Sequence, residues 1–318
     1  MRAIVRLRSL LAGKEALRRL KHSRFVCLAA FDRSFYLKNE EGKLVCLARD
    51  DLEPGPLNVL CAPWPDGSLL PSPGKTVIRR GDTLCWSGAS LAVGNAQAWI
   101  VPVSGMDTGE KSLSDRLMPC SSFLAALSTE LPDTDFAPLF AWFLGEPEPF
   151  SASSPFLTPL LAAGFEAVAH LMNWLSATQT ASPPLSEVRG LLGLGPGLTP
   201  SGDDILGGTM VALCAIRKKE AAAVLYAAIK KLPQHTNTIS LAHLELAAQG
   251  EGAEALHLFI SSLLEGQFSI NAARRLGAVG HSSGWDMALG AALALYASAR
   301  TTAFQQVLDM TNCPTSLR

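Results

Sequence analysis

Charged side chains are scarce in this sequence: they make up 17% of its 318 residues, whereas hydrophobic side chains make up 48%. Basic and acidic residues nearly cancel and leave a formal net charge of -1, so no overall basic field indicates nucleic-acid binding. A low charge content favours a large core and at least one buried subunit face. That face could belong to a homo-oligomer.

Long apolar runs and export signals are also missing. A helix needs about 20 apolar residues to cross a bilayer, and the apolar run at residues 205–216 is shorter than that. The first 24 residues lack the uninterrupted apolar stretch and the small-residue cleavage site of a signal peptide. The sequence therefore predicts a cytoplasmic protein without a membrane partner.

Motifs for disulfides, zinc and serine hydrolysis are absent as well. The seven cysteines are odd in number and scattered, and no Cys-x-x-Cys pair occurs, so neither a disulfide framework nor a zinc site is predicted. They are typical of small buried hydrophobic residues in a reducing compartment. No Gly-x-Ser-x-Gly elbow follows a strand, and Ser-His-Asp catalysis is therefore not supported.

The first 24 residues differ from the rest of the chain because they are strongly basic. They contain one acidic residue, Glu15, against Arg2, Arg6, Arg8, Lys14, Arg18, Arg19, Lys21 and Arg24. Their apolar residues predict a leading amphipathic helix that packs Ile4, Leu7, Leu10, Leu11 and Leu17 inward. A helix that binds a membrane surface or RNA is the alternative.

The remaining pattern divides into strands and then helices. Strand-like runs separated by turns occupy residues 24–31, 34–39, 43–50, 75–80, 82–88 and 96–103, which predicts a small antiparallel barrel or sandwich. Helical spacing follows at residues 157–177, 203–219, 221–231, 236–249, 253–264, 270–276 and 284–299. We therefore predict an α+β protein with a β-rich N-terminal domain, residues 1–150, that begins with the basic helix, and a mainly helical C-terminal domain, residues 151–318. A boundary as early as residue 110 is the alternative.

Two Gly/Ser/Asp loops, residues 193–204 and 277–286, each open an apolar helix. Both contain Ser-Gly-x-Asp, and aligning Ser201 with Ser283 also aligns Asp204 with Asp286. The two helices then share a stripe of small residues, in which Gly208, Ala212 and Ala215 match Gly290, Ala294 and Ala297. This pattern predicts an internal repeat whose helices pack closely, with both loops at one end of the pair.

The loops have two competing explanations. A capping box would explain Ser-x-x-Asp by itself, but it does not require the glycines and prolines of the first loop. Bare N–H groups at a positive helix end instead favour a phosphate or carboxylate ligand. The predicted anion-binding residues are Gly195, Gly197, Thr199, Ser201 and Gly202 in the first loop and Ser282, Ser283 and Gly284 in the second.

Carboxylates beside that anion suggest chemistry. The predicted catalytic residues are Asp203, Asp204, Asp286 and His281, which would act as acids and bases on a polar substrate. Asp203 and Asp204 holding Mg²⁺ is an alternative. For His281, the alternative is a structural role in which the side chain is held by hydrogen bonds. The polar segment at residues 235–240 is a separate candidate, and N-capping of the helix that follows is its simplest interpretation.

Three segments carry a resemblance to a known family. "GLGPGLTPSGDDILGG", "SLAHLELAAQGEG" and "LGAVGHSSGWDMALG" occur in this order, and with similar spacing, in a bacterial family that includes the third, AllH-type, subunit of oxamate carbamoyltransferase from anaerobic allantoin breakdown. The similarity covers residues 155–300 well and the β-rich half only in general character.

The resemblance implies a small anionic substrate and other protein subunits as partners. The family enzyme moves a carbamoyl group between oxalurate and phosphate, releasing oxamate and carbamoyl phosphate, and works with two other subunits. The resemblance does not say which subunit carries the chemistry, and paralogous gene sets of this type exist, so a different substrate for this chain is left open. A self-sufficient Mg²⁺-dependent phosphotransferase or hydrolase, and a non-catalytic assembly subunit, stay open as alternatives.

Overall fold

The computed structural model describes residues 5–102, 112–120, 127–131, 136–143, 159–177 and 184–299. Their contacts divide the chain into two units, residues 1–102 and 103–318. The domain boundary expected near residue 150 lies outside the described residues, and so does the expected start of the first long helix at residue 157. The described helices on both sides of residue 150 share one hydrophobic core, which is why the division falls earlier in the chain.

The N-terminal unit is a β-barrel. Its strands are β1 (Val5–Gly13), β2 (Arg24–Phe31), β3 (Ser34–Asn39), β4 (Leu44–Arg49), β5 (Asn58–Ala62), β6 (Thr76–Arg80), β7 (Thr83–Trp86), β8 (Ala89–Ala92) and β9 (Gln97–Trp99). They pair in the order β5-β4-β3-β2-β6-β7-β8-β1, and β1 closes the barrel by pairing with β5. The short strand β9 pairs with β1 outside this ring. Most pairs are antiparallel, while β1 pairs in parallel with β8 and with β9, and β4 pairs in parallel with β5.

Alternating side chains along the strands fill the barrel interior. In β3, for example, Phe35 and Leu37 are fully buried, whereas the side chains on either side of them are less so. A polar turn joins β3 to β4, where the Asn39 side chain accepts from the N–H groups of Glu41 and Lys43. The interior cluster includes Leu7, Phe25, Phe35, Leu37, Leu47, Val59, Val77, Leu84 and Leu91.

The expectation of a leading basic helix is wrong for most of its length. Residues 5–13 form strand β1, and helix α1 is confined to Lys14–Arg19. The alternation of exposed Arg6 and Arg8 with buried Leu7 and Ser9 is a strand pattern, and pairing with both β5 and β8 satisfies its backbone. Long-range pairing therefore overrode the helical spacing of the leucines.

The C-terminal unit is helical. Its helices are α2 (Leu113–Leu117), α3 (Ala137–Phe143), α4 (Pro159–Ser176), α5 (Leu185–Leu191), α6 (Ser201–Ala215), α7 (Lys219–Ile229), α8 (Thr238–Ala247), α9 (Glu254–Leu264), α10 (Ile270–Gly277) and α11 (Ser283–Ala299). Helix α11 lies at the centre, packing against α6 and also against α2, α3, α4, α9 and α10. The α+β class predicted from the sequence is confirmed.

Two further absences apply to the described residues alone. Within them, no helix combines the length and the apolar character needed to cross a bilayer. Every cysteine that they include is a free thiol, and burial raises the pKa of Cys46 and Cys61 to about 12. Such thiols stay protonated and behave as small hydrophobic side chains, as the sequence indicated.

Candidate functional site

Helices α6 and α11 pack backbone against backbone. A Cβ added at Gly208 would lie 2.1 Å from the carbonyl oxygen of Met287, and one added at Gly290 would lie 2.0 Å from that of Ile205. The Thr209 hydroxyl donates to the carbonyl oxygen of Gly290 at 3.1 Å. Since only glycine permits this approach, the shared small-residue stripe brings the two helix starts to one place.

The loops before these helices have the same hydrogen bonds. The first loop is residues 193–204 and the second loop is residues 277–286, so that each ends in the first turn of its helix. In the first, the N–H of Gly202 donates to the carbonyl of Leu194 at 2.9 Å; in the second, the N–H of Gly284 donates to the carbonyl of Val279 at 3.0 Å. The two helix starts are therefore structurally equivalent, as an internal repeat requires.

Glycines occupy equivalent places in both loops. Gly195 has φ +108° and Gly280 has φ +67°, and each packs closely against the serine that begins its helix, Ser201 or Ser283. These left-handed conformations are costly for other residues. The first loop thus differs from the second mainly by the extra chain around Gly197, which has φ +100° and open space around its Cα.

The two loops meet through their hydroxyl groups. The Thr199 Oγ1 and Ser283 Oγ atoms lie 3.0 Å apart and share a hydrogen bond. Both hydroxyl groups also lower the pKa of the Asp204 carboxyl group, which places them beside it. The expectation that the loops are neighbours at one end of the helix pair is confirmed by these contacts.

The capping-box explanation is wrong for the first loop. The residue at the N-cap of α6 is Pro200, and no side chain caps this helix. Ser201 is consequently the first helical residue, and the N–H groups of Asp203 and Asp204 donate to the Pro200 carbonyl. The carbonyl of Ser282 plays the same part for α11, so the aspartates are available for other contacts.

Both carboxylate oxygens of Asp203 accept hydrogen bonds that fix the first loop. Its Oδ1 accepts from the N–H of Gly193 at 2.7 Å, and its Oδ2 accepts from the hydroxyl of Thr236. Burial raises its pKa, while the hydrogen bonds from Thr236 and Gly193 act in the opposite direction. Asp203 therefore ties the first loop to the segment before α8, a structural role that the sequence did not suggest.

Asn237 holds the same loop from that segment. Its Oδ1 accepts from the N–H groups of Ile239 and Ser240 and caps α8, which confirms the N-capping interpretation. Its Nδ2 donates to the carbonyl oxygen of Leu198 at 2.7 Å. The sequence placed neither Thr236 nor Asn237 in the site, although the run of small polar residues before a helix was a usable signal.

Asp204 and Asp286 lie deeper in the helix pair. Their side chains are 9% and 3% exposed. Burial raises the pKa of Asp204 well above its ordinary value, the hydroxyl of Ser283 lowers it, and the charge of Asp286 raises it further. The Oδ2 atom of Asp204 is buried without a hydrogen-bond partner. Ionising both buried carboxyl groups would cost free energy because their charges repel each other, so the protonated form of Asp204 is favoured.

The first loop exposes a row of backbone donors. In the described part of the chain, the N–H groups of Gly195, Gly197, Leu198, Thr199 and Ser201 have no acceptor. The residues at its tip are exposed, and so is His281 of the second loop, whereas Ser282 is half-buried. These donors precede or begin α6 and therefore lie beside the positive end of that helix.

A magnesium site formed by Asp203 and Asp204 finds little support in this geometry. Both carboxylate oxygens of Asp203 accept hydrogen bonds from protein donors. Within the described ranges, no three His, Cys, Asp or Glu side chains are grouped so that they would hold a metal ion. The arrangement is better suited to an anion, and to proton transfer at Asp204, than to a cation.

Comparison with known proteins agrees with this location. The family model described as "Oxamate carbamoyltransferase subunit AllH" matches residues 191–295, which begin at the end of α5 and include both loops. No solved structure matches the chain. The match stops short of the barrel and covers the residues that carried the sequence resemblance. Residues 191–295 of the chain are therefore similar to the AllH-type family, and the match covers about a third of the chain.

Proposed function

We propose that this chain is a subunit of a carbamoyltransferase-like complex and that its two loops bind an anionic substrate. The reaction would be the one that the family description implies, oxalurate and phosphate to oxamate and carbamoyl phosphate, or a related one. The observation that carries the proposal is the meeting of two equivalent helix N-termini, with unpaired backbone donors, inside the matched segment.

An anion at the loops would receive several complementary contacts. The N–H groups of Gly197, Leu198 and Thr199 would donate to it, and the positive ends of α6 and α11 would favour its charge. The hydroxyl groups of Thr199 and Ser283 are within the same cluster. Ser201, Gly202, Ser282 and Gly284 would shape the backbone that presents these donors. Phosphate and the carboxylate of oxalurate both fit this chemistry.

Asp204 would handle a proton beside that anion. A neutral carboxyl group does not repel a bound phosphate or carboxylate, whereas an ionised one would. Because its Oδ2 has no hydrogen-bond partner among the described residues, protonated Asp204 would donate to a substrate oxygen. Asp286 would keep that proton in place through its charge, and exposed His281 would be a donor at the edge of the site. Asp203 would position the loop.

Binding can be tested by ligand-induced thermal stabilisation with phosphate and with oxalurate. A Cβ added at Gly197 meets its nearest atom, the carbonyl oxygen of Thr199, only at 4.0 Å, but a valine there would cover the exposed loop backbone. Gly74, in the barrel unit, is a matched control because it has φ +84° and nothing within 4 Å. We expect Gly197→Val and Gly74→Val to lower the Tm of the free protein by similar amounts. Only Gly197→Val should lose the rise in Tm that phosphate or oxalurate produces. A ligand effect that survives in folded Gly197→Val would contradict the anion site.

Catalysis can be tested in the complex reconstituted with its other subunits. Asp204→Asn should lower turnover by about 100-fold or more, as is typical for a general acid–base group. Copurification of the variant with the other subunits would show that assembly is intact. Full turnover in a complex containing Asp204→Asn would instead favour the non-catalytic assembly role for this subunit.

A further inference from the structure

The outer face of the barrel carries a basic groove. It has a volume of about 670 Å³, and its lining comes from strands β1, β6, β7 and β8. We call this feature the arginine groove. It lies outside residues 191–295, the segment that matches the family model, and it does not depend on the proposed function of the loops.

Strand register places arginines on both sides of this groove. Residues that pair across neighbouring strands form rows that run across the sheet. In one row, Arg6 of β1 pairs with Ser90 of β8, and the row continues through β7 and β6 to Arg24 of β2. Along the next row, Arg8 and Arg80 are at the two ends. With about 4.8 Å between neighbouring strands, the rows span about 19 Å and 14 Å.

Among the residues that the structure describes, none of these four arginines has a hydrogen-bond or ion-pair partner. Arg6, Arg8, Arg24 and Arg80 are all exposed. Other arginines of the same unit are paired, as Arg18 is with Glu15. Asp82, in the turn between β6 and β7, is engaged by Arg79 at 3.1 Å. The groove is therefore an uncompensated positive surface on a nearly neutral chain.

Small and apolar side chains form the floor between the arginines. Thr83, Cys85, Ser90 and Ala92 lie in the middle of the two rows. Beside them, Ile78 is 43% exposed. A floor of small residues lets another backbone approach closely, and an exposed isoleucine gives it an apolar contact.

The ligand chemistry follows from this layout. Arginines at the two ends of rows this wide do not converge on one phosphate, but they suit charges spread along an extended segment of about six residues, which is about 20 Å long. Single-stranded nucleic acid calls for exposed aromatic side chains on which bases stack. The aromatic residue on the four lining strands is Trp86, which is 8% exposed.

We propose that the arginine groove binds an extended acidic segment of a partner protein, with glutamates or aspartates on the arginines and an apolar side chain on Ile78. Charge complementarity provides orientation and association rate, and the small floor provides close packing. The barrel is thus an interaction module attached to the helical unit.

Binding of a defined peptide to the full-length chain tests this proposal. The probe is a fluorescein-labelled hexapeptide with four glutamates and two leucines, followed by fluorescence anisotropy at low salt. We expect saturable binding that Arg6→Glu/Arg80→Glu weakens by about 10-fold or more, since two attractions become repulsions. The control is Lys14→Glu/Lys219→Glu, which makes the same charge change at exposed helix starts and should stay within about 2-fold of wild type.

Each other outcome overturns the proposal. Absence of peptide binding at low salt would remove the groove as a protein-binding surface. Equal weakening in the lysine control would show that only net charge matters. Displacement of the peptide by inorganic phosphate or by a thymidine hexanucleotide at lower concentration than unlabelled peptide would assign the arginines to those ligands instead.

Discussion

The close contact of α6 and α11 predicts opposite effects for alanine at two adjacent glycines. A Cβ at Gly208 would lie 2.1 Å from the Met287 carbonyl oxygen, whereas one at Gly207 meets its nearest atom, in Leu244, at 4.0 Å. Both substitutions remove the cost of a helical glycine, about 1 kcal/mol. Only Gly208→Ala requires the helices to separate, by about 1 Å if an ordinary contact is to be restored.

The magnitudes are large enough to measure. Overpacking costs about 1–3 kcal/mol, and the atom that Gly208→Ala meets is backbone, so the upper end applies. We expect Gly208→Ala to lower the free energy of unfolding by about 2 kcal/mol net and Gly207→Ala to raise it by about 0.5–1 kcal/mol. For a unit of this size the difference corresponds to a Tm gap of about 6–10 °C.

The assay is urea unfolding followed by circular dichroism at 222 nm, which reports mainly on the helical unit. The equivalent substitution in the other helix, Gly290→Ala, should behave like Gly208→Ala because its Cβ would lie 2.0 Å from the Ile205 carbonyl oxygen. If Gly208→Ala proved as stable as Gly207→Ala, the backbone contact and the repeat geometry built on it would be refuted.

Three further predictions concern individual side chains. The pKa of Asp204 is raised in the folded state, so the free energy of unfolding of the wild type should fall as pH rises above the pKa of the unfolded chain. Asp204→Asn lacks this group and should therefore gain stability relative to wild type between pH 5 and pH 8 in urea unfolding. A constant difference would contradict this. Buried His257, whose pKa falls to about 4, accepts from Gly252 in its neutral form. Wild type should therefore lose about 2 kcal/mol relative to His257→Gln between pH 7 and pH 5, and parallel pH profiles would exclude this role. Asn237→Ala should lose about 1–2 kcal/mol with the α8 cap, whereas Asn237→Asp keeps the cap and loses only the donor to Leu198; equal thermal stabilities would show that the cap contributes nothing.

Local patterns in the sequence were sufficient for most elements and for the proximity of the two loops. The strands β2, β3 and β4 and the helices from α6 to α11 follow from alternation or helical spacing near their observed bounds. The Ser-Gly-x-Asp pair and the small-residue stripe also indicated that Ser201 and Ser283 begin neighbouring helices. These features are visible in sequence because each depends on residues close together in the chain or on a repeated motif.

Features that depend on contacts between distant segments were visible only in the tertiary structure. Residues 5–13 became a strand because β5 and β8 lie on either side of it, a pairing that no local pattern contains. Asp203, which the sequence treated as catalytic, is engaged by Gly193 and Thr236, whereas Asp204 acquires its raised pKa from burial beside Asp286. Pairing, burial and charge proximity arise only once distant segments meet, so the sequence by itself determined the elements and the loops, and folding determined which side chains are left for function.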